Sequence, residues 1–107
     1  MIEIRNLTPH TVTLLINEEF VELKPEGEPC PRVSTVETTI CSEPFVGLEV
    51  SYETIENLPP QVPGVALIVS KICCDAAPWR RDLWYPTRLV RDEEGNIVGC
   101  KALARNP

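Results

Sequence analysis

Proline stands at eleven of the 107 positions, about twice its usual share. Its ring removes an amide donor and collides with the preceding helical turn, so a scatter this dense leaves no room for long helices. The core must come from short extended segments. Residues 1–107 read as a single domain, because a chain of this size buries only roughly 65% of its unfolded surface and supports one modest core.

The segments can be read off in order. "IEIR" and "VTLLI" are β-prone runs parted by Asn6, Leu7, Thr8, Pro9 and His10, where the Asn and Thr side chains can satisfy backbone groups in a turn. Asn17, Glu18 and Glu19 lead into "FVEL" as a hairpin, and "KPEGEPCP" is a loop by composition. "RVSTVETTI" sets Ser34, Val36, Thr38 and Ile40 on one face, which we expect to be buried. In "GLEVSYETI", Leu48, Val50, Tyr52 and Thr54 alternate against Glu49, Ser51, Glu53 and Ile55, the pattern of a sheet with one wet side.

After the connector "ENLPPQVPG", the run "VALIVS" is apolar without alternation, as in a strand covered on both faces. Ser70 can cap a short helix through "KICCDAA" that Pro78 stops. "TRLVRD", a turn at Glu93, Glu94, Gly95 and Asn96, and "IVGCKALAR" complete a last hairpin. The expected fold is mainly β, α+β at the margin: a small single-domain sandwich or barrel-like sheet of about seven or eight short strands, with one short helix near 70–77.

Several function classes lose support. No run approaches the length of a membrane span, and "MIEIRNLTPH" has neither the basic start nor the apolar stretch of a secretion signal, so the expected location is cytoplasmic, the host cytosol if phage-encoded. Cys30, Cys41, Cys73, Cys74 and Cys100 form no C-x-x-C pair and the single histidine is His10, so neither a metal site nor a cofactor is expected. The cysteines read as small, mostly buried hydrophobes in a reducing compartment. His10 has no nucleophile in a local motif with it, so no enzyme is expected. The paired glutamates fall in turns, as solvated surface.

Charge is uneven. Residues 1–69 carry eleven acidic and three basic side chains, residues 70–107 five acidic and seven basic, on a molecule of net −6. Within 78–91, Arg80, Arg81, Arg88 and Arg91 face only Asp82. That patch can attract an anion, but sequence-specific nucleic-acid binding needs more unopposed cations. The stretch "PWRRDLWYP" also holds both tryptophans. Trp79, Trp84 and Tyr85 offer stacking faces, and the four arginines offer forks for phosphate oxygens, in a loop stiffened by Pro78 and Pro86. The same residue types serve equally as core or interface anchors.

The segments "NLTPH" near the start, Leu58-Pro59 with Gly64, "IVS" at 68–70, Arg80 with Asp82-Leu83, and "RDEEGNIVGC" from 91 to 100 carry a resemblance. The chain resembles a family of small, mostly uncharacterised proteins of bacteriophages, prophages and actinobacterial genomes, with an Asn-Leu-Thr-Pro-His start and an Arg-Asp-x-x-Gly-x-Ile-x-Gly-Cys hairpin. The likeness spans nearly the full length. It implies a phage context, in which single-domain proteins of this size serve virion assembly, host takeover or anti-defence.

Two readings follow. The first is a non-enzymatic binding protein, an anti-defence sponge that sequesters a nucleotide-like anion through Trp79, Arg80, Arg81, Trp84, Tyr85, Arg88 and Arg91, with Asn6 and His10 as further ligand-binding candidates. On this reading, Arg80→Ala or Arg88→Ala weakens binding while the fold survives. The second is a protein-interaction or virion-assembly module whose aromatic loop docks a partner. Either way a homo-oligomer is expected, since an acidic first half can meet another copy's basic loop.

Overall fold

The computed structural model describes residues 2–27 and 29–107. Its strands are β1 (Glu3–Asn6), β2 (Val12–Ile16), β3 (Glu19–Leu23), β4 (Arg32–Cys41), β5 (Gly47–Glu56), β6 (Val65–Ile68), β7 (Leu83–Arg91) and β8 (Ile97–Ala104), with one helix, α1 (Lys71–Ala76). The protein is mainly β, and six strands form a nearly closed, barrel-like sheet in the order β1-β6-β7-β8-β2-β3. β4 and β5 pair separately as a two-stranded ribbon.

Local chemistry accounts for most of these elements. Ile16 pairs with Glu19, leaving Asn17 and Glu18 as a two-residue turn with φ of 50° and 69°, the left-handed pair that suits a tight hairpin. Parallel neighbours β6 and β7 need a crossover, and α1 supplies it. Ser70 caps that helix, its hydroxyl accepting from the Cys73 amide at 3.4 Å. The β7–β8 turn is fixed by Asp92, whose Oδ1 accepts from the amides of Glu94 and Asn96, both at 2.9 Å.

The core lies where β6 is covered on both faces, as its unbroken apolar run implies. Leu67, Val69 and Leu83 pack with Leu7 and with Cys73, Cys74 and Ala77 of the helix segment. Ala66 and Ile68 alternate to the opposite face of β6 and are buried there. Cα partners across β1, β6 and β7 place Asn6, Ile68 and Trp84 on one face.

Asn6 closes the barrel. It is 2% exposed, and its Nδ2 donates to the carbonyls of Leu23 at 2.8 Å and His10 at 2.7 Å. Its Oδ1 accepts from the Thr8 amide at 3.0 Å and the Thr8 hydroxyl at 2.6 Å. The Glu26 amide donates to the Asn6 carbonyl at 2.9 Å. These bonds tie the end of β1 to the end of β3, the two outer strands of the sheet.

The ribbon corrects the sequence reading. Val36 and Ile40 were expected on a buried face, as were Leu48, Val50 and Tyr52, yet Ile40 is 64% exposed, Val50 56% and Tyr52 47%. Only Val33 and Ile55 at the base of the ribbon pack against the core. The register explains more: Val36 pairs with Ser51, whereas Tyr52, Val50 and Leu48 pair with Thr35, Glu37 and Thr39. Paired residues share a face, so the two apolar rows point to opposite sides. The ribbon stretches the molecule to 52 × 39 × 27 Å, and its radius of gyration of 16.4 Å exceeds the about 13 Å of a compact chain this long. Gly47 lets the ribbon turn fold in, since a Cβ there would stand 2.6 Å from the Cys41 sulfur.

A second correction concerns 78–91. Only the stretch before Leu83 is a connection; Leu83–Arg91 is strand, so Trp84, Tyr85, Arg88 and Arg91 are spaced along a sheet rather than gathered in a loop.

All five cysteines are free. Cys73, Cys74 and Cys100 are buried, and burial pushes the Cys74 thiol up to about 11 and the Cys100 thiol above its ordinary value. Maleimide labelling of the native protein should therefore modify Cys30 and Cys41 only, with all five reacting after denaturation. Rapid native labelling of a third thiol would contradict this packing.

Candidate functional site

The structure divides the sequence-predicted residues among separate places. Arg80 is consumed internally: its Nε and Nη2 donate to the two Asp82 carboxylate oxygens at 2.8 Å each, and Nη2 also donates to the Pro59 carbonyl at 2.9 Å. The two side chains are 13% and 4% exposed. The ion pair and hydrogen bond raise the Arg80 pKa further, and they commit Nε and Nη2 internally while Nη1 keeps its donors. This corrects the expectation that Arg80→Ala spares the fold.

Asn6 is equally committed, and the part His10 plays there is through its carbonyl, with the ring exposed. Tyr85 packs against the core, with the Lys71 ammonium 5.8 Å from its ring centre. Arg91 donates to the Gly95 carbonyl at 2.9 Å and so braces its own turn. Arg88 is exposed in a left-handed conformation, φ 51°. Trp79 is 72% exposed and, together with Arg80, borders a separate hollow of about 470 Å³ with Tyr52, Ile55, Leu58 and Ala76.

Arg81 and Trp84 also stay together, and a third residue joins them. Tyr85 is the Cα partner of Ala104, which sets Arg105 just beyond the end of β8 beside Trp84. The Arg105 guanidinium lies 4.9 Å from the Trp84 ring centre, and its Nη1 donates to the Arg81 carbonyl at 2.9 Å. Arg81 reaches back toward the Asn106 carbonyl at 3.4 Å. Asn106 donates to Asp75 Oδ1 at 3.0 Å, and this bond, with that from Lys71, holds the Asp75 carboxyl below its ordinary range. The chain beyond β8 is thereby pinned to α1.

Trp84, Arg81 and Arg105 border a hollow of about 290 Å³ whose other walls include Ile2, Val62 and Ala66. Asp82 also reaches it, but with its carboxylate already held by Arg80. Among the described residues neither Arg81 nor Arg105 has a carboxylate partner.

A third surface lies across β2, β3 and the β7–β8 hairpin. Val12, Pro86, Leu89, Ile97 and Val98 line a shallow hollow of about 430 Å³ with Glu22 at its rim. Phe20, Leu89, Ile97 and Val98 are all exposed there. Among the described residues no group of three or more His, Cys, Asp or Glu side chains is placed to hold a metal ion, and no helix is long and apolar enough to cross a membrane. Comparison of the chain with protein-family models, curated proteins and solved structures finds no match.

Proposed function

We propose that the chain is a non-enzymatic protein-interaction module of the assembly kind, in which the β4–β5 ribbon of one copy docks on the β7–β8 surface of a second. The observation that carries this reading is the uncovered ribbon, with Leu48, Val50 and Tyr52 exposed on one face, Val36 on the other, and Ile40 exposed near the ribbon turn. An isolated hairpin is at best marginally stable in water, and large exposed apolar surface marks an interaction site.

The chemistry of the two surfaces favours a second copy as the occupant. Residues 32–56 hold five glutamates against Arg32 alone, so the ribbon is apolar and acidic. The β7–β8 surface is apolar with Glu22 as the charged residue lining its hollow, and Arg88 and Arg91, exposed on the same hairpin, have no carboxylate partner among the described residues. Apolar rows can meet apolar rows while the ribbon glutamates reach the arginines that flank the hollow.

Area selects the symmetry. Ten residues per strand make each ribbon face roughly 34 Å by 10 Å at standard rise and spacing. One arm on one acceptor buries about 700 Å² counted on both sides, below the roughly 1,200 Å² of a stable interface, whereas two arms exchanged about a two-fold axis reach about 1,400 Å². The expected assembly is therefore a two-fold dimer rather than a ring. This fits the phage-assembly context that the resemblance implies.

Light scattering tests it. The native protein should scatter at twice the 12.0 kDa chain mass, and Val50→Asp should scatter as a monomer with an unchanged far-ultraviolet circular dichroism spectrum. A native protein that stays monomeric from micromolar to millimolar concentration would overturn the reading.

A further inference from the structure

We infer that the hollow bordered by Trp84, Arg81 and Arg105 is a binding site for a small organic phosphate of mononucleotide size. Three independent features converge on it. Arg81 and Arg105 both line the hollow without a carboxylate partner among the described residues, and the carboxylate that also reaches it, Asp82, is held by Arg80. An anion seated between them can accept charge-assisted hydrogen bonds from both.

The walls differ from the mouth. Ile2, Val62, Ala66 and the indole of Trp84 form an apolar lining, so the anion that fits carries an uncharged body as well as its oxygens. At about 290 Å³ the hollow is of the order of a single small organic ligand. Arg105, already stacked on Trp84, extends the aromatic face with a flat cation on which a base can lie. The site is also braced: Arg105 is bonded to the Arg81 carbonyl, and Asn106 is bonded to Asp75 on α1. A braced pair of arginines loses little freedom on binding.

The site is on the barrel body, so its occupancy does not depend on the ribbon or on self-association. A non-cleaving site of this type makes the protein a nucleotide-sequestering one, and it shifts that role from the whole of 78–91 to Arg81, Trp84 and Arg105.

The test uses the full chain carrying Trp79→Phe, which removes the exposed tryptophan and leaves Trp84 as the single indole reporter. Adenosine 5′-monophosphate should quench its fluorescence saturably. Inorganic phosphate should compete at much higher concentration, because it takes the arginines but not the stacking. Arg81→Gln should weaken the nucleotide about tenfold or more, and Arg105→Lys, which keeps the charge but loses the planar fork, should weaken it comparably. Arg88→Ala should leave it unchanged. Absence of saturable quenching by either anion at millimolar concentration would overturn the inference. Equal loss of binding in Arg88→Ala would do the same, since the anion would then be answering net charge alone.

Discussion

Arg80→Ala should lower the unfolding free energy by about 3–5 kcal/mol, because it leaves the Asp82 carboxylate buried and unpaired. Asp82 is 6% exposed, and Arg80 is the residue that supplies both of its short side-chain bonds. In a domain of about this size that loss corresponds to a fall in melting temperature of about 12 °C or more. The companion variant isolates the cause. Arg80→Met combined with Asp82→Leu removes both charges at similar volume and should recover most of the stability, since a buried pair is often no better than well-packed apolar residues. Thermal denaturation of both variants decides the matter: a double variant as unstable as the single one would mean that Arg80 acts through the Pro59 carbonyl rather than through charge.

Asn6→Leu should cost about 2–4 kcal/mol, by stranding the Leu23 carbonyl and opening the seam between β1 and β3. Asn6→Asp should be no milder. Its carboxylate still accepts from Thr8, but it presents an acceptor to the His10 and Leu23 carbonyls that Asn6 satisfies as a donor. The effect should be local before it is global. Amide exchange in Asn6→Leu should rise first at Glu26, whose amide bonds to the Asn6 carbonyl across the seam, while the β6 amides keep near-native protection. Uniformly accelerated exchange would show that the seam is not a separate unit.

These two side chains also show where the sequence could and could not be read. Most strand positions, the Ser70 cap, the covered β6 and the last turn follow from alternation, capping chemistry and turn residues, and the structure agrees with these while starting β7 earlier, at Leu83. What alternation cannot supply is the partner. With Ser34 opposite Thr54, an unbroken register would set Val36 against Tyr52 and Thr38 against Val50, so the two apolar rows would share one face. The irregularity after Ser34 slips the register by one residue and throws the rows to opposite sides. Period-two patterns look the same before and after such a slip.

The candidate site failed and succeeded for a similar reason. Arg105 was not singled out because its place opposite Trp84 depends on the irregularity between Val90 and Arg91, which moves the far end of β8 by one position. Without it, Ala104 would occupy that place and no guanidinium would cover the indole. Arg80 and Asp82, two residues apart, did carry a local signal for an ion pair, but their spacing says nothing of how deeply Leu67 and the neighbouring strand bury them. Asn6 was legible as a turn residue, and its role as the barrel seam depends on Leu23, seventeen positions away.

In the proposed dimer the ribbon of one copy lies against the β7–β8 surface of another. Isotope-filtered nuclear magnetic resonance of a mixture of labelled and unlabelled chains tests this contact itself. Intermolecular cross-peaks should link Leu48 or Val50 of one copy to Leu89, Ile97 or Val98 of the other, and should vanish in Val50→Asp. A mixed dimer whose only intermolecular cross-peaks arise elsewhere on the barrel, or a sample with none at millimolar concentration, would contradict it.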